Sequence, residues 1–217
     1  AHNLGTAPGM IFVKITSTTD NWVVYHQSLG ATKLLRLNMD GDEWVQPRWN
    51  DTTPTDSVFS VDANKETNKL NEAYVAYLFA DNTVEDLDDQ MIKCGSYTTD
   101  GNGQASVDLG WEPQFTIFKQ TDGDNDWRIN DTPRGVDYNG LKRLQLLANT
   151  SAAESEDAEG AFSTSTGFTA TGHATNSNYI YMTIRAPMMK EPEVATDVFT
   201  CVNRGQGTNL LKKITGA

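Results

Sequence analysis

Short apolar runs separated by polar residues recur along the whole chain. They are rich in β-branched and aromatic residues and are bounded by Gly, Asp, Asn, Thr or Pro, as strands usually are. Their spacing of roughly 8 to 12 residues is typical of a sandwich or jelly roll. The pattern predicts an all-β protein with little helix. The runs are residues 10–15, 22–26, 34–38, 57–61, 73–80, 92–98, 115–119, 143–149, 167–171, 179–184 and 198–202.

Two segments depart from simple alternation. In AYVAYLFA, residues 73–80, both alternating sets of side chains are apolar, which predicts a central strand covered on both faces. In TVEDLDDQMIK, residues 83–93, Val84, Leu87 and Met91 have helical spacing. We therefore expect one short helix there, at a link between two parts of the chain.

The chain also repeats itself. IFVKITSTTDNWVVYH, from residue 11, has a counterpart in TIFKQTDGDNDWRIND, from residue 116. Several identical residues are separated by a constant 105 positions, and Asn38 matches Asn149 at a distance of 111. Insertions and deletions in loops account for such a change of offset. The pairs at 105 are Leu4 and Leu109, Gly5 and Gly110, Pro8 and Pro113, Lys14 and Lys119, Trp22 and Trp127, and Asn71 and Asn176.

The repeat predicts two tandem β-sandwich modules, of jelly-roll or lectin-like type, related by internal duplication. We place the first at residues 1–93 and the second at 94–200, with TTDGNGQAS, residues 98–106, as a loop near their boundary. The segment 201–217 echoes the connector that follows Cys94, and so predicts a strand leading toward a further module. On this interpretation the sequence is an excerpt of a longer tandem protein.

Charge and hydropathy narrow the function. Seventeen basic and 29 acidic residues give a net charge of −12, which disfavours nucleic-acid binding because a phosphate backbone would be repelled. No apolar run reaches the roughly 18 residues that a membrane-spanning helix needs, so we expect no membrane insertion. The two cysteines, Cys94 and Cys201, are too few for a disulfide-built scaffold, and we expect both to be small buried residues.

One segment carries the spacing of a metal loop. In DGDND, Asp122, Asp124 and Asp126 alternate as Ca²⁺ ligands do, although the glycine and the distal glutamate of an EF-hand are missing. The alternative is a solvated hairpin tip, and the first copy has STTDN at this place. Ca²⁺ is therefore the one candidate cofactor.

A catalytic site is not predicted. His26 and Ser28 lie two apart on a strand-like segment, but the repeat places Asp131 and Pro133 over them and no nucleophile elbow is present. We expect no catalytic residues.

Four of the five tryptophans fall into two groups. Trp22 and Trp127 match across the repeat, as do Tyr74 and Tyr179, and we predict that all four are structural core residues. Trp44 and Trp49 lie in the polar stretch DGDEWVQPRWNDTTP and are candidates for stacking on a sugar or packing against a neighbouring subunit. The alternative for both is that they fold back over an open end of the module.

Several blocks together carry a family likeness. They are LGTAPGMIFVK, NWVVYHQSLGATKLLRLN, WNDTTPTDSVFSV, YVAYLFA, KCGSYTTDGNG and, in the second copy, YIYMTIRAPMMKEPEVATDVF. The chain resembles the tandem β-rich repeat modules of tailed-bacteriophage virion proteins, typically found in tail fibres and related appendages. It departs from them in the acidic insert SAAESEDAEGAFS and in the block WRINDTPRG.

This resemblance implies a structural virion protein that serves assembly and host-surface adhesion, without catalysis. The implied partners are other virion proteins, a host-surface glycan or protein, and further copies of the chain, with a trimer preferred. Alternatives are a carbohydrate-binding, lectin-like module using Trp44 or Trp49, a capsid decoration protein and, ranked lowest, a glycan-cleaving depolymerase.

Overall fold

Antiparallel β-sheets make up nearly all the regular structure of this protein. The computed structural model describes residues 1–81, 90–135, 144–157 and 159–187, and the helical structure in these residues is a single 3₁₀ turn at Thr132–Arg134. The strands are β1 (Pro8–Ile15), β2 (Trp22–His26), β3 (Lys33–Arg36), β4 (Trp44–Val45), β5 (Tyr74–Ala80), β6 (Ile92–Thr98), β7 (Ala105–Asp108), β8 (Pro113–Gln120), β9 (Arg128–Asp131), β10 (Leu144–Leu147), β11 (Ser155–Glu156), β12 (Gly160–Thr164), β13 (Gly167–Thr171) and β14 (Asn178–Arg185). The predicted all-β class is confirmed.

The described strands form three sheets. The first sheet has the order β4-β3-β2-β1-β5, the second β11-β10-β9-β8-β14-β6, and the third β12-β13-β7. In the first sheet four strands follow in chain order and β5 then pairs with the free side of β1. The second sheet repeats this order with β8 to β11 and β14, and adds β6 beyond β14.

Both faces of the first two sheets are covered. Between these sheets lies a central core, which draws on both predicted modules: Met10, Phe12, Val24, Leu35, Cys94, Ile117, Trp127, Ile180 and Met182. The far face of the second sheet packs on the third sheet through residues such as Phe118 and Phe168. The far face of the first sheet packs under Trp49, Phe59 and Val61, from the strandless segment 46–73. Residues 1–186 form one compact unit, and residues 187–217 are assigned to a second.

Several strand predictions hold and others do not. The runs that became β1, β2, β5, β6, β8, β13 and β14 are strands close to their predicted bounds, whereas residues 57–61 are not a strand. Phe59 and Val61 instead pack on the first sheet from a loop. Their apolar character therefore reflects partial burial and not strand formation. The helix predicted over 83–93 lies mainly outside the described residues, and its last two positions, Ile92 and Lys93, begin β6. The run at 198–202 also lies outside them.

The prediction that residues 73–80 form a central strand is wrong. Among the strands that the structure describes, β5 lies at the edge of its sheet, and Tyr77 is 49% exposed. Its alternate side chains nevertheless serve both faces, since Leu78 packs on the outer core and Phe79 on the central core. A run with apolar side chains on both faces therefore indicates packing on both faces of the strand. It does not indicate whether the strand is central or at the edge of its sheet.

The predicted module boundary between residues 93 and 94 falls inside β6. β6 pairs with β14 over seven residue pairs and so is a strand of the second sheet. The predicted connector at 201–217 lies outside the described residues.

Candidate functional site

Trp44 is an exposed aromatic residue held in a fixed position. It lies on the edge strand β4 and is 43% exposed. The guanidinium of Arg36 lies 3.9 Å from the centroid of its ring, which is a cation–π arrangement. Arg36 is itself fixed by hydrogen bonds to Glu66 at 2.9 and 3.2 Å. Trp44 therefore presents an ordered apolar surface at the edge of the first sheet.

Trp49 takes the second of its two predicted alternatives. It is 0% exposed and packs edge-on against Tyr25, with 5.5 Å between the ring centroids. The segment 46–73 brings it back over the outer face of the first sheet. Its indole is therefore part of the outer core and offers no face to a ligand.

The three aspartates of the candidate metal loop do not act together. Asp122 accepts hydrogen bonds from the backbone and side-chain nitrogens of Asn178, at 2.8 and 3.0 Å. Asp126 accepts one from the side chain of Asn149 at 2.7 Å. Among the described residues, no group of three or more His, Cys, Asp or Glu side chains is arranged to hold a metal ion.

Lys119 is a charged residue whose role the sequence did not reveal. It is 0% exposed, and its Nζ donates to the carbonyls of Gln120 at 2.6 Å and Gly123 at 3.3 Å. Burial lowers the pKa of Lys119 to about 8, although nearby carboxylates favour the charged form. These belong to Asp124, Asp40, Asp42 and Asp126. The sequence signal for this role was the match between Lys119 and Lys14. In the structure the Nζ of Lys14 also donates to a hairpin carbonyl, that of Asp20, at 2.9 Å.

The four predicted core residues differ in burial. Trp127 and Tyr179 are 0% and 1% exposed, and the indole nitrogen of Trp127 donates to the carbonyl of Arg36 across the central core at 2.9 Å. Trp22 is partly buried and stacks on Tyr77 with 6.2 Å between centroids. Tyr74 is also partly buried and packs on the outer core.

Residues that the sequence analysis paired at offsets of 105 and 111 make similar contacts. The backbone nitrogens of Trp22 and Trp127 donate to the side chains of Asn38 and Asn149, at 2.9 and 3.0 Å. The hydroxyls of Tyr74 and Tyr179 each accept a backbone hydrogen bond from five residues upstream, at 2.8 and 3.1 Å. Asn71 and Asn176 both have positive φ angles, of 63° and 52°.

His26 joins the two large sheets. Its Nδ1 accepts a hydrogen bond from the backbone nitrogen of Ser28 at 3.2 Å, so the proton of the neutral ring is on Nε2, which donates to the carbonyl of Tyr181 at 3.0 Å. Burial lowers the pKa of His26 to about 4, against smaller opposing effects of the Tyr181 carbonyl and Asp81. Both ring nitrogens are occupied by backbone groups, and the contact is a structural one.

A polar cleft opens where the two large sheets meet. It encloses about 480 Å³ and is bordered by the turn after β2, the β3–β4 edge, β6, the loop after β8 and the start of β14. No single sequence segment signals it, because its lining comes from five separate parts of the chain. The lining includes Leu29, Lys33, Glu43, Ser96, Asp122 and Ile180.

These features define the class as an all-β protein of layered antiparallel sheets, with an exposed tryptophan and a polar cleft between two sheets. The chain belongs to the family described as Domain of unknown function (DUF7483), whose model matches residues 1–187. That match covers the first predicted module and most of the second, and it ends next to residue 186, where the compact unit ends. No curated protein matches the chain significantly, and no solved structure does. The helical content of the described residues includes nothing long and apolar enough to span a bilayer.

Proposed function

We propose that this chain is a structural segment of a tailed-bacteriophage virion protein, of tail-fibre or appendage type, which serves assembly and host-surface adhesion without catalysis. The observation that carries the proposal is the recurrence of one β-motif within the chain, because tandem β-rich modules are the feature on which the family resemblance rests. The finer fold assignment, two copies of a sandwich-type motif related by internal duplication, belongs to the same proposal.

Three structural features support the duplication. The two large sheets have the same strand order, apart from the added β6. The Trp–Asn contacts recur at matched positions, and so do the hydrogen bonds to Tyr74 and Tyr179. Positive φ angles at both Asn71 and Asn176 add a backbone feature that few residues adopt. Unrelated β-motifs would have no reason to share all three.

The exposed surface fits adhesion. Arg36 orders the ring of Trp44, so the Trp44 side chain would lose little conformational entropy when a partner packs on it. The acidic charge of the chain keeps crowded copies soluble. A homo-oligomer, by preference a trimer, would present several such surfaces at once and gain avidity from weak contacts. Other virion proteins and a host-surface glycan or protein are the partners in this proposal.

A lectin-like, carbohydrate-binding module is the second candidate, and the exposed ring of Trp44 favours it. A capsid decoration protein shares the same resemblance and differs in its place on the particle. Imaging the intact virion separates these locations. We expect cryo-electron microscopy to place the chain on a tail-attached appendage with three-fold symmetry. Density spread over the capsid lattice would overturn the adhesion proposal in favour of decoration.

Adsorption supplies a second test. Purified protein added to host cells before the virions should reduce adsorption, and Trp44→Ala should weaken that competition by roughly tenfold if the ring is a contact hot spot. Leu70→Ala is the matched control, because Leu70 is 85% exposed and lies away from the Trp44 surface in sequence. Equal competition by both variants would remove Trp44 from the adhesive surface.

A further inference from the structure

We infer that the cleft between the two large sheets is a binding site for a neutral saccharide, free or at the end of a glycan chain. This rests on the proposed function, since it names the class of ligand that an adhesion protein of this kind would hold. It assigns that ligand to the cleft and not to the Trp44 surface. Trp44 does not line the cleft, and it pairs with Leu34, which packs in the outer core.

The size and shape of the cleft suit a small ligand. The cleft encloses about 480 Å³, and small-molecule sites commonly enclose roughly 300–1,000 Å³. It is bordered by strands and their short connections, and so its outline is set by hydrogen-bonded backbone. A site built on sheets loses little freedom when it binds.

The second argument is the chemistry of the lining. Exposed Ser28, Ser96 and Thr98 bring hydroxyls, and Asp122 and Glu43 bring acceptors. The half-buried Leu29 supplies apolar surface, whereas Ile180 is 2% exposed and lies beneath the lining. A sugar ring has hydroxyls that both donate and accept, together with apolar C–H faces. Mixed polar groups around one accessible aliphatic side chain match that combination.

The polar groups are also held in place. Asn178 donates to Asp122 from its backbone and its side chain, and its Oδ1 accepts a hydrogen bond from Thr98 at 2.8 Å. From the first sheet, Lys33 and Glu43 form an ion pair, and the backbone nitrogen of Glu43 donates to the carbonyl of Thr121 at 2.9 Å. The last contact ties the first sheet to the second beside the cleft. The polar frame is therefore formed before any ligand arrives.

Charge decides between neutral and acidic sugars. Lys33 is the one cation of the described lining, and it is paired with Glu43, while Asp122 adds a second carboxylate. The whole chain has a net charge of −12. An anionic saccharide would be repelled by both the local and the overall field, and a neutral one would not.

The first experiment uses the whole chain on a glycan array that carries neutral and acidic oligosaccharides. We expect binding to neutral structures. Protein labelled with ¹⁵N is then titrated with lactose, maltose and N,N′-diacetylchitobiose, and we expect amide shifts that cluster at residues 28–33, 96–98, 121–122 and 178–180. Binding confined to acidic glycans, shifts centred on Trp44, or no response to any probe would each overturn the inference.

A pair of matched variants tests the site itself. Ser96→Tyr places a ring in the cleft from an exposed position of β6, and should weaken saccharide binding by at least roughly tenfold. Ser106→Tyr makes the same change at an exposed serine of β7, outside the cleft, and should leave affinity unchanged. Equal affinity in both variants would contradict the assignment. If Ser96→Tyr unfolds, the amide shifts of the unsubstituted protein decide the question.

The inference and the proposed function fail in different ways. Saccharide binding at the cleft by a chain that is absent from the tail would leave the inference standing and overturn the adhesion role. A tail-located chain that gives no response to neutral saccharides would do the reverse.

Discussion

His26 shows how a single side chain can couple stability to pH. Its ring is neutral and buried, and its pKa of about 4 in the folded protein lies below the ordinary value of 6.5. A base with a lowered pKa contributes stability that is complete above pH 6.5. That contribution is lost as the pH falls from 6.5 through 4, because the unfolded chain binds the proton first.

We therefore predict that the free energy of unfolding decreases by up to about 3 kcal/mol on account of His26 over this pH range. Urea unfolding at a series of pH values measures it. His26→Gln removes the titrating group and should flatten the curve between pH 6.5 and 4. Parallel curves for the two proteins would show that His26 does not titrate as inferred.

Glu66 is the second residue whose ionisation matters. Burial raises its pKa, but hydrogen bonds from Arg36, Asn21 and Arg48 outweigh that effect and lower the pKa to about 2. The carboxylate is 4% exposed, and its ion pair with Arg36 of β3 anchors the segment 46–73 to the first sheet. Its second ion pair, with Arg48, lies within that segment. Its contribution to stability is present above pH 4.5 and is lost as the pH falls through 2.

Replacing this carboxylate should be costly at neutral pH. Glu66→Gln leaves the guanidinium of Arg36 without its anion, while Arg48 keeps its ion pair with Asp62, and we predict a loss of about 3 kcal/mol in the free energy of unfolding. Glu72→Gln is the control, because the Lys69–Glu72 pair is exposed and exposed pairs contribute little. Similar urea midpoints for the two variants would refute the anchoring role of Glu66.

At the scale of elements, the paired Trp–Asn contacts allow a comparison within one chain. Asn149 is partly buried, accepts from the backbone of Trp127 and donates to Asp126, whereas Asn38 is exposed. Asn149→Ala should destabilise the protein by about 1–2 kcal/mol, because a partly buried donor loses its acceptor. Asn38→Ala should cost less, since water replaces the lost contact. Chemical denaturation of both variants measures the difference, and equal losses would contradict it.

The sequence predicted which residues form strands more reliably than it predicted which strands pair. β1, β2, β8 and β14 were predictable because each is a continuous apolar run between turn residues. β4, β7 and β11 escaped because they are short and carry exposed side chains, and their strand character depends on pairing with β3, β13 and β10. The edge position of β5 was missed for a related reason. Pairing is a relation between distant segments, and a local pattern does not contain it.

At the scale of the whole molecule, the central core makes the two predicted modules depend on each other. Each large sheet supplies one of its faces, and Trp127 also bonds to Arg36 across the boundary. We predict that residues 1–187 unfold in a single calorimetric transition, with equal calorimetric and van't Hoff enthalpies. Trp127→Ala should lower the midpoint of the whole transition. Two resolved transitions, with Trp127→Ala moving only one of them, would show that the modules are independent.

At the candidate sites too, the sequence named the residues, and tertiary packing decided their roles. The sequence pointed to Trp44 but gave Trp49 equal standing, because both lie in one polar stretch, and only packing against Tyr25 separates the buried ring from the exposed one. The alternation of Asp122, Asp124 and Asp126 suggested a common ligand. The partners that two of them find, Asn178 and Asn149, lie far along the chain.

By itself the sequence determined the β-class, the main strands, the acidic charge and the internal echo, because alternation, turn residues and composition are local properties of a chain. The tertiary structure alone decided that the two large sheets share one core, that β5 lies at an edge and that Trp49 is buried. It also decided that five distant segments enclose a cleft. The reason is physical: burial and enclosure depend on which surfaces meet after folding, and these surfaces are contributed by residues far apart in the chain.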